Sequence, residues 1–164
     1  MNLFESTRCS INTLQNSDYA EVKSLYVNSE VRKYLGGIRH DDEMEAVFSE
    51  MLYADEDSFY WIVREKHTGD FIGLVSIDPH HDGICHEISY QLLPNWWGKG
   101  YATEVVQFII HYVLYELNHF KVVAETQTAN IYSCKLLERV GMKLERTVIR
   151  FGAEQAIYAK TRPI

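Results

Sequence analysis

Cysteine, proline and basic residues are all scarce in this chain of 164 residues, and each shortage excludes a class of protein. The 3 Pro and 9 Gly argue against a long disordered or low-complexity segment. The 3 Cys are odd in number and far apart, which argues against a disulfide framework and favours a reducing compartment. With 16 Lys and Arg against 23 Asp and Glu, the net charge is −7. Nucleic-acid binding is therefore disfavoured, because neutralising phosphates requires a basic surface.

Long apolar runs are missing as well. The most apolar stretch, 105–115, is interrupted by Gln107 and His111 and is too short to cross ~30 Å of hydrocarbon. The first residues also lack the basic start and apolar run of a signal peptide. We therefore expect a cytoplasmic protein with no membrane partner, folded as one domain over residues 1–164. Its acidic balance is compatible with a cationic small molecule or peptide as a partner.

The hydrophobic pattern predicts an α+β fold, with helices around one mixed sheet. Asp18 with Glu21, and Asp42 with Glu45, have the spacing of capping boxes, and Gly36-Gly37 ends a helical stretch in a loop. The predicted helices cover 18–28, 44–53, 101–117 and 129–140, and the predicted strands cover 8–14, 59–63, 71–77, 84–93, 120–126, 143–149 and 153–160. The order strand, tight loop, helix, strand over 84–126 predicts one parallel βαβ unit inside a mostly antiparallel sheet.

The loop between the strand ending at 93 and the helix starting at 101 carries the clearest chemical signal. Gly98 and Gly100 allow the backbone to approach a ligand closely. The free N–H groups of the first helical turn and the helix dipole favour an anion there, and Lys99 adds a positive charge. The segment is therefore a candidate phosphate site.

Two common nucleotide-binding loops do not fit these residues. The spacing required by a nucleoside-triphosphate loop is absent, and a dinucleotide fingerprint needs a third glycine where this chain has Thr103. A tight turn in which the glycines only relieve crowding is the structural alternative.

Two segments resemble the GNAT superfamily of acyl-CoA-dependent N-acetyltransferases. The segment 98–104, Gly-Lys-Gly-Tyr-Ala-Thr-Glu, is similar to the pyrophosphate loop of that family, and 130–141 is similar to its second cofactor motif. The segments 7–18 and 31–37 resemble the branch that includes ribosomal-protein alanine and serine N-terminal acetyltransferases. The resemblance implies acetyl-CoA as co-substrate. No metal is expected, because the histidines near residue 80 lack metal-ligand spacing.

The resemblance also implies a set of cofactor-binding residues. Backbone N–H groups of the loop would hold the pyrophosphate, with Trp97 in the place of the family's Gln or Arg. In the family two parallel strands splay apart and the pantetheine arm lies between them, so backbone groups of Leu92 and Leu93 would bond to that arm, and one amide would act as an oxyanion donor. The implied cofactor-binding residues are Leu92, Leu93, Trp97, Gly98, Lys99, Gly100, Tyr101, Ala102, Thr103, Asn130 and Ser133.

Glu87 and Ser133 are the candidate catalytic residues. An alkylammonium with a pKa near ~10.4 must lose a proton before it attacks a thioester, and Glu87 lies on the strand where some family members carry a catalytic Glu. The alternative is a solvated glutamate. The family's usual tyrosine acid falls at Leu137, so Ser133 is the candidate donor to the departing sulfur. Asn130 and Ser133 also have a plain alternative as helix-capping residues.

The resemblance thus implies direct acetyl transfer from acetyl-CoA to a primary amine in a ternary complex, the acceptor being a peptide N-terminus or a small-molecule amine. Tyr34 and Glu87 are the candidate acceptor-binding residues, and family members are monomers or homodimers. An acyl-CoA-binding sensor or scaffold without useful catalysis is the alternative function. A nucleotide-binding oxidoreductase module is a third, which the missing glycine disfavours.

Overall fold

The computed structural model describes residues 2–83 and 85–163, and in that part of the chain eight strands form one sheet. Burial alternates clearly in the strand Cys9–Thr13, as an alternating sequence predicts. The strands Phe59–Glu65, Phe71–Pro79, Lys121–Gln127 and Ala153–Thr161 instead have continuous buried runs, as is typical of strands covered on both faces. The strands are β1 (Asn2–Glu5), β2 (Cys9–Thr13), β3 (Phe59–Glu65), β4 (Phe71–Pro79), β5 (His86–Leu92), β6 (Lys121–Gln127), β7 (Lys143–Arg150) and β8 (Ala153–Thr161).

The sheet has the order β1-β2-β3-β4-β5-β6-β8-β7. Neighbouring strands are antiparallel except for β5 and β6, which are parallel and belong to the predicted βαβ unit. The predicted α+β class with a mostly antiparallel sheet is confirmed. The helices are α1 (Tyr19–Tyr26), α2 (Ser29–Arg32), α3 (Met44–Leu52), α4 (Tyr101–His111) and α5 (Ile131–Arg139).

The helices cover the two faces of the sheet and create two apolar clusters. On one face, α4 and α5 bury residues such as Val105, Ile109 and Leu136 against the sheet. On the other face, α1 and α3 bury Leu25 and Phe48 against β3 and β4. Burial of one apolar face per helix is the dominant stabilising term of such a layered fold. No helix within the described ranges is both long and apolar enough to cross a membrane.

Four details differ from the sequence prediction. The capping boxes pair Gln15 with Asp18 and His40 with Glu43, not Asp18 with Glu21 and Asp42 with Glu45, because a short 3-10 turn precedes each helix. Strand β1 was not predicted, because four residues are too few for a periodic signal, and its Phe4 packs 4.4 Å from the ring of Tyr112. The helix predicted to reach Leu117 is α-helical only to His111 and continues as a π-helical turn. Strand β5 begins at His86, and Ile84, which the prediction included, lies outside the described residues.

Strands β4 and β5 approach each other very closely at Gly73. A Cβ atom at this position would overlap the Gln91 carbonyl oxygen and stand 2.9 Å from the Cα of Leu92. Position 73 therefore accepts only glycine, because the neighbouring backbone of β5 occupies the space that a side chain would need. This close contact sets the position of the end of β5.

We predict that Gly73→Ala destabilises the protein by at least ~3 kcal/mol, because backbone atoms cannot move away as a side chain can. Gly69→Ala is the matched control: Gly69 has φ +77° but open space around it, so the change costs only ~1 kcal/mol of backbone strain. Urea denaturation of both variants measures the difference. Equal losses in the two variants would contradict the close approach.

Candidate active site

The parallel strands β5 and β6 separate after a short ladder. They pair only where His86 meets Val122 and Glu87 meets Val123, although β5 continues to Leu92 and β6 to Gln127. Strand β6 stays paired with β8 along its whole length, and β5 stays paired with β4. The two strands therefore form a fork whose inner backbone edges have no strand partner beyond Glu87.

The sheet register decides which amides of β5 face this fork. The Leu93 N–H donates to the Ile72 carbonyl at 2.9 Å, so it faces β4. Because bonding directions alternate along an antiparallel pair, the N–H groups of Leu92 and Tyr90 face the fork instead. The Leu92 carbonyl accepts a hydrogen bond of 2.9 Å from Trp97 Nε1. Of the two residues expected to contact the pantetheine arm, Leu92 presents a free amide to the fork and Leu93 does not.

A cavity of about 1090 Å³ lies along the fork and is lined by residues from both faces of the sheet. Such a volume is at the upper end of the range for small-ligand sites. Many of the predicted site residues line it together. They are Tyr34, Leu92, Trp97, Gly98, Gly100, Tyr101, Ala102, Thr103, Asn130 and Ser133. The ammonium group of Lys99, also a predicted site residue, lies 5.9 Å from the ring centre of Trp96.

The glycine loop at one end of the cavity has the geometry of an anion cradle. Gly98 and Gly100 have φ values of +71° and +83°, in the left-handed region that favours glycine. The first hydrogen bond of α4 runs from the Glu104 N–H to the Gly100 carbonyl at 3.0 Å. The N–H groups of Tyr101, Ala102 and Thr103 precede it and have no acceptor among the described residues, so they can bind an anion.

Charged side chains from distant parts of the chain hold this loop. Arg8, the residue before β2, donates hydrogen bonds to the Lys99 carbonyl at 3.0 Å and to the Glu104 carboxylate at 2.8 Å. Its guanidinium also lies 4.0 Å from the ring centre of Tyr101. Arg139 of α5 donates to Thr103 Oγ1 at 3.2 Å and lines the cavity. Neither arginine was a predicted site residue, because only the folded chain brings them to the loop.

The start of α5 supplies two polar side chains to the cavity. The Asn130 side chain accepts a hydrogen bond of 3.2 Å from the Ser133 N–H, which is the capping role considered from the sequence. This leaves the Asn130 amide N–H₂ group for a ligand. Ser133 Oγ lies 2.7 Å from the hydroxyl of Tyr90, which the sequence pattern placed only on an alternating strand face.

Glu87 lies at the base of the fork, directly opposite Asp78 on β4. Burial, together with the nearby Asp78 and Glu125 carboxylates, raises the pKa of Glu87 to about 8. Burial also raises the pKa of Asp78, while nearby histidines and a hydrogen bond to Tyr60 oppose this. Asp78 and Glu125 line the cavity wall, whereas Glu87 lies next to them and does not itself line the cavity.

Glu125 is held by a buried ionic cluster. Its carboxylate is 2.7 Å from His80 Nε2 and 3.1 Å from Arg150 Nε, and the side chains of His80 and Glu125 are almost fully buried. His80 is also 3.4 Å from Asp82, which pairs with Arg146. The cluster fixes the position of the Glu125 carboxyl group in the cavity wall near Glu87. Residues 2–83 and 85–163 contain no group of three or more His, Cys, Asp or Glu side chains able to hold a metal ion.

The loop after α2 crosses the open side of the fork. The buried Arg32 donates to Gln91 on β5 at 3.2 Å and to the Leu35 carbonyl at 2.7 Å. At the other arm, the Gln127 side chain of β6 donates to the Tyr34 carbonyl at 3.2 Å. Tyr34 therefore lies near the end of β6 and lines the cavity, and the loop narrows access from this face.

Comparisons with known proteins agree with this geometry. The family described as Acetyltransferase (GNAT) domain matches residues 8–143. The curated Bacillus subtilis protein YnaD, named as an uncharacterized N-acetyltransferase, is 27% identical over 139 residues, covering 84% of this chain and 81% of YnaD.

Solved structures share the fold. A GNAT-family acetyltransferase from Bacillus anthracis superposes with a TM-score of 0.84 at 20% identity, covering 98% of both chains. The spermidine N-acetyltransferase from Vibrio cholerae, solved with CoA and spermine, has a TM-score of 0.77 at 19% identity, with 93% of this chain and 94% of that one covered. The family match spans most of the chain and includes the glycine loop, so this protein belongs to the GNAT family and is an acetyltransferase.

Proposed function

We propose that the protein transfers the acetyl group of acetyl-CoA to a primary amine that carries positive charge, by direct attack within a ternary complex. One observation carries the proposal: the cavity along the fork joins an anion cradle on one side of the sheet to the half-buried carboxyl group of Asp78, directly opposite Glu87, on the other. An anionic cofactor and a cationic amine would thus approach the same opening from opposite faces.

The residues at the cradle fit the pyrophosphate of acetyl-CoA. The free amides of the first turn of α4 would bind its oxygens, and Arg139 beside Thr103 adds positive charge. A side chain at Gly100 is disfavoured by its φ of +83°, and a Cβ atom there would come 3.3 Å from the Arg8 guanidinium. Trp97 supports the cradle by anchoring to the Leu92 carbonyl.

The free inner edge of β5 would hold the pantetheine arm by strand addition. The Leu92 N–H faces the fork and would polarise the thioester oxygen, whereas the Leu93 N–H is already used by Ile72. Asn130 would donate its amide N–H₂ to the same arm. Bound acetyl-CoA supplies the activated acetyl group, and this chain's backbone orients it.

Glu87 is the proposed general base. A carboxyl with a pKa of about 8 is largely protonated at neutral pH, and its ionised fraction is far more basic than an exposed carboxylate. It would take a proton from the acceptor nitrogen directly or through one water. Ser133 would donate a hydrogen bond to the departing sulfur.

The acceptor face favours a positively charged amine. Asp78 and Glu87 are directly opposite each other on adjacent strands, so a cationic group bound beside them would favour the ionised form of Glu87 that acts as the base. Tyr34 and the loop above it would close over the acceptor. The similar Vibrio cholerae enzyme is named for spermidine, a cationic amine. Three free cysteines support a reducing, cytoplasmic location, and the protein would act as a monomer or homodimer.

Release of free thiol from acetyl-CoA tests the proposed reaction across a panel of amines. We expect at least one cationic primary amine, among polyamines, aminoglycosides and peptide N-termini, to release thiol faster than the sample without acceptor. Neutral amides of similar size are the control. Calorimetric binding of CoA with no turnover for any amine would contradict transfer and indicate a sensor, and binding of NAD in place of CoA would contradict the cofactor.

Glu87→Gln is expected to lower turnover about 100-fold or more, because the base is lost while the shape of the site is kept. Affinity for acetyl-CoA, measured by calorimetry, should change little, since Glu87 lies away from the cradle. Glu50→Gln on the exposed side of α3 serves as the control. In the wild type, kcat/KM should rise with pH up to about 8. Unchanged turnover of the variant from about pH 6 to about pH 9 would remove Glu87 from this role.

Burial of Glu87 also predicts a pH-dependent stability. Its pKa is raised from 4.5 to about 8 in the folded protein, so between these values the folded state holds a proton that the unfolded state has lost. Stability should therefore fall as pH rises through this window. Urea denaturation should show Glu87→Gln close to the wild type at about pH 5 and more stable than it at about pH 9. A constant difference between the two proteins at all pH values would refute the raised pKa.

A further inference from the structure

The hydroxyl of Tyr90 is a polar group inside the fork that the proposed chemistry has not used. Tyr90 lies on β5 between Ser89 and Gln91, on the sheet face covered by α4 and α5, and it lines the cavity. Its hydroxyl is 2.7 Å from Ser133 Oγ. Buried tyrosine hydroxyls generally have a hydrogen-bond partner, and this partner is itself a candidate site residue.

The surroundings set the direction of this hydrogen bond when a negative charge is next to Ser133. Burial raises the pKa of Tyr90 to about 12, so the phenol keeps its proton and remains a donor. A serine hydroxyl has one proton to donate and two lone pairs that accept. Once Ser133 donates its proton toward an anion in the cavity, its oxygen accepts from Tyr90.

We propose that Tyr90 is a positioning residue for the transfer reaction: its hydroxyl donates to Ser133 Oγ and directs the Ser133 hydroxyl at the departing sulfur. This inference rests on the proposed function. Hydrogen bonds in such a chain polarise one another, so the Ser133 hydroxyl becomes a stronger donor than an isolated serine.

The step balances without a net proton from either hydroxyl. The acceptor nitrogen forms the new bond to the acetyl carbon, the carbon–sulfur bond breaks, and sulfur takes its electron pair. The nitrogen attacks as the neutral amine, after its ammonium proton has passed to solvent, and the second proton, lost as the amide forms, goes to the ionised form of Glu87. Ser133 and Tyr90 keep their protons and stabilise the sulfur charge by hydrogen bonding, and solvent protonates the sulfur afterwards.

The placement of Ser133 suits this role. Ser133 is in the first turn of α5, with its backbone held by Asn130, and Leu137 follows one turn later on the same helix face. Leu137 is buried and apolar. Tyr90 reaches Ser133 from β5, the same strand that presents the Leu92 N–H to the fork. In the proposed complex, the Ser133 hydroxyl and the Leu92 N–H would flank the thioester, and β5 connects them.

A direct test is the pKa of the thiol of bound CoA, followed by thiolate absorbance in the ultraviolet at saturating protein. Tyr90→Phe should raise that pKa by a few tenths to about one unit relative to the wild type, and Ser133→Ala should raise it further. The double variant should match Ser133→Ala alone, because Tyr90 acts through Ser133.

Tyr158→Phe is the matched control, since this buried tyrosine on β8 lies on the same sheet face but bonds to Glu138 at 3.3 Å and does not line the cavity. It should leave the pKa of the bound thiol unchanged. A value for Tyr90→Phe equal to that of Tyr158→Phe, or additive effects in the double variant, would overturn the inference.

Kinetics separate this inference from the proposed function. With an active acceptor, Tyr90→Phe should lower kcat about 3- to 10-fold with little change in KM for acetyl-CoA. Absence of acetyl transfer in the wild type would refute the proposed function, while the thiol titration would still test the hydroxyl pair. Normal kcat in Tyr90→Phe, with an active wild type, would refute the role of Tyr90 alone.

Discussion

The separation of β5 from β6 beyond Glu87 is the constraint on which the rest of the site depends. A strand inside a sheet normally has both backbone edges bonded, and an unbonded edge in the interior is costly. Here β5 remains bonded to β4 and β6 to β8, so each strand is held in place although the two have parted. The inner edges therefore stay open, straight and available to an extended ligand. In this fold the opening also removes the barrier between the two faces of the sheet.

The other site elements surround this fork in a consistent way. On the α4 side, the glycine loop follows directly from the end of β5, and Trp97 of the loop bonds to the Leu92 carbonyl. The position of the cradle relative to the free Leu92 amide is therefore fixed. On the other side, the buried carboxylates lie at the closed base of the fork, and the loop after α2 is tied to both arms through Gln91 and Gln127. The carboxyl groups of Asp78, Glu87 and Glu125 thus lie away from the anion cradle. An overall charge of −7 is compatible with an anion-binding loop at one end of the site and carboxyl groups at the other.

Local features of the site could be predicted from the sequence, and features that depend on strand pairing could not. Gly98 and Gly100 lie between a strand and a helix, so their positive φ values and the free amides after them follow from residues close in sequence. The choice between the Leu92 and Leu93 amides depends on the β4–β5 register, which the alternation of β5 alone does not contain.

Contacts between distant segments were the other missing part. Tyr90 had the pattern of a core-facing strand residue, and only the packing of α5 places Ser133 against its hydroxyl. Likewise Glu125 alternated within an ordinary strand, and its burial beside His80 follows from the order of strands in the sheet.

Amide hydrogen exchange with and without CoA tests most directly whether the fork is the cofactor site. The account predicts protection on CoA binding at Leu92 and over 101–103, whose amides are free in the structure, and no added protection at Leu93, which is already bonded. Protection confined to other parts of the sheet, or none at Leu92, would contradict it.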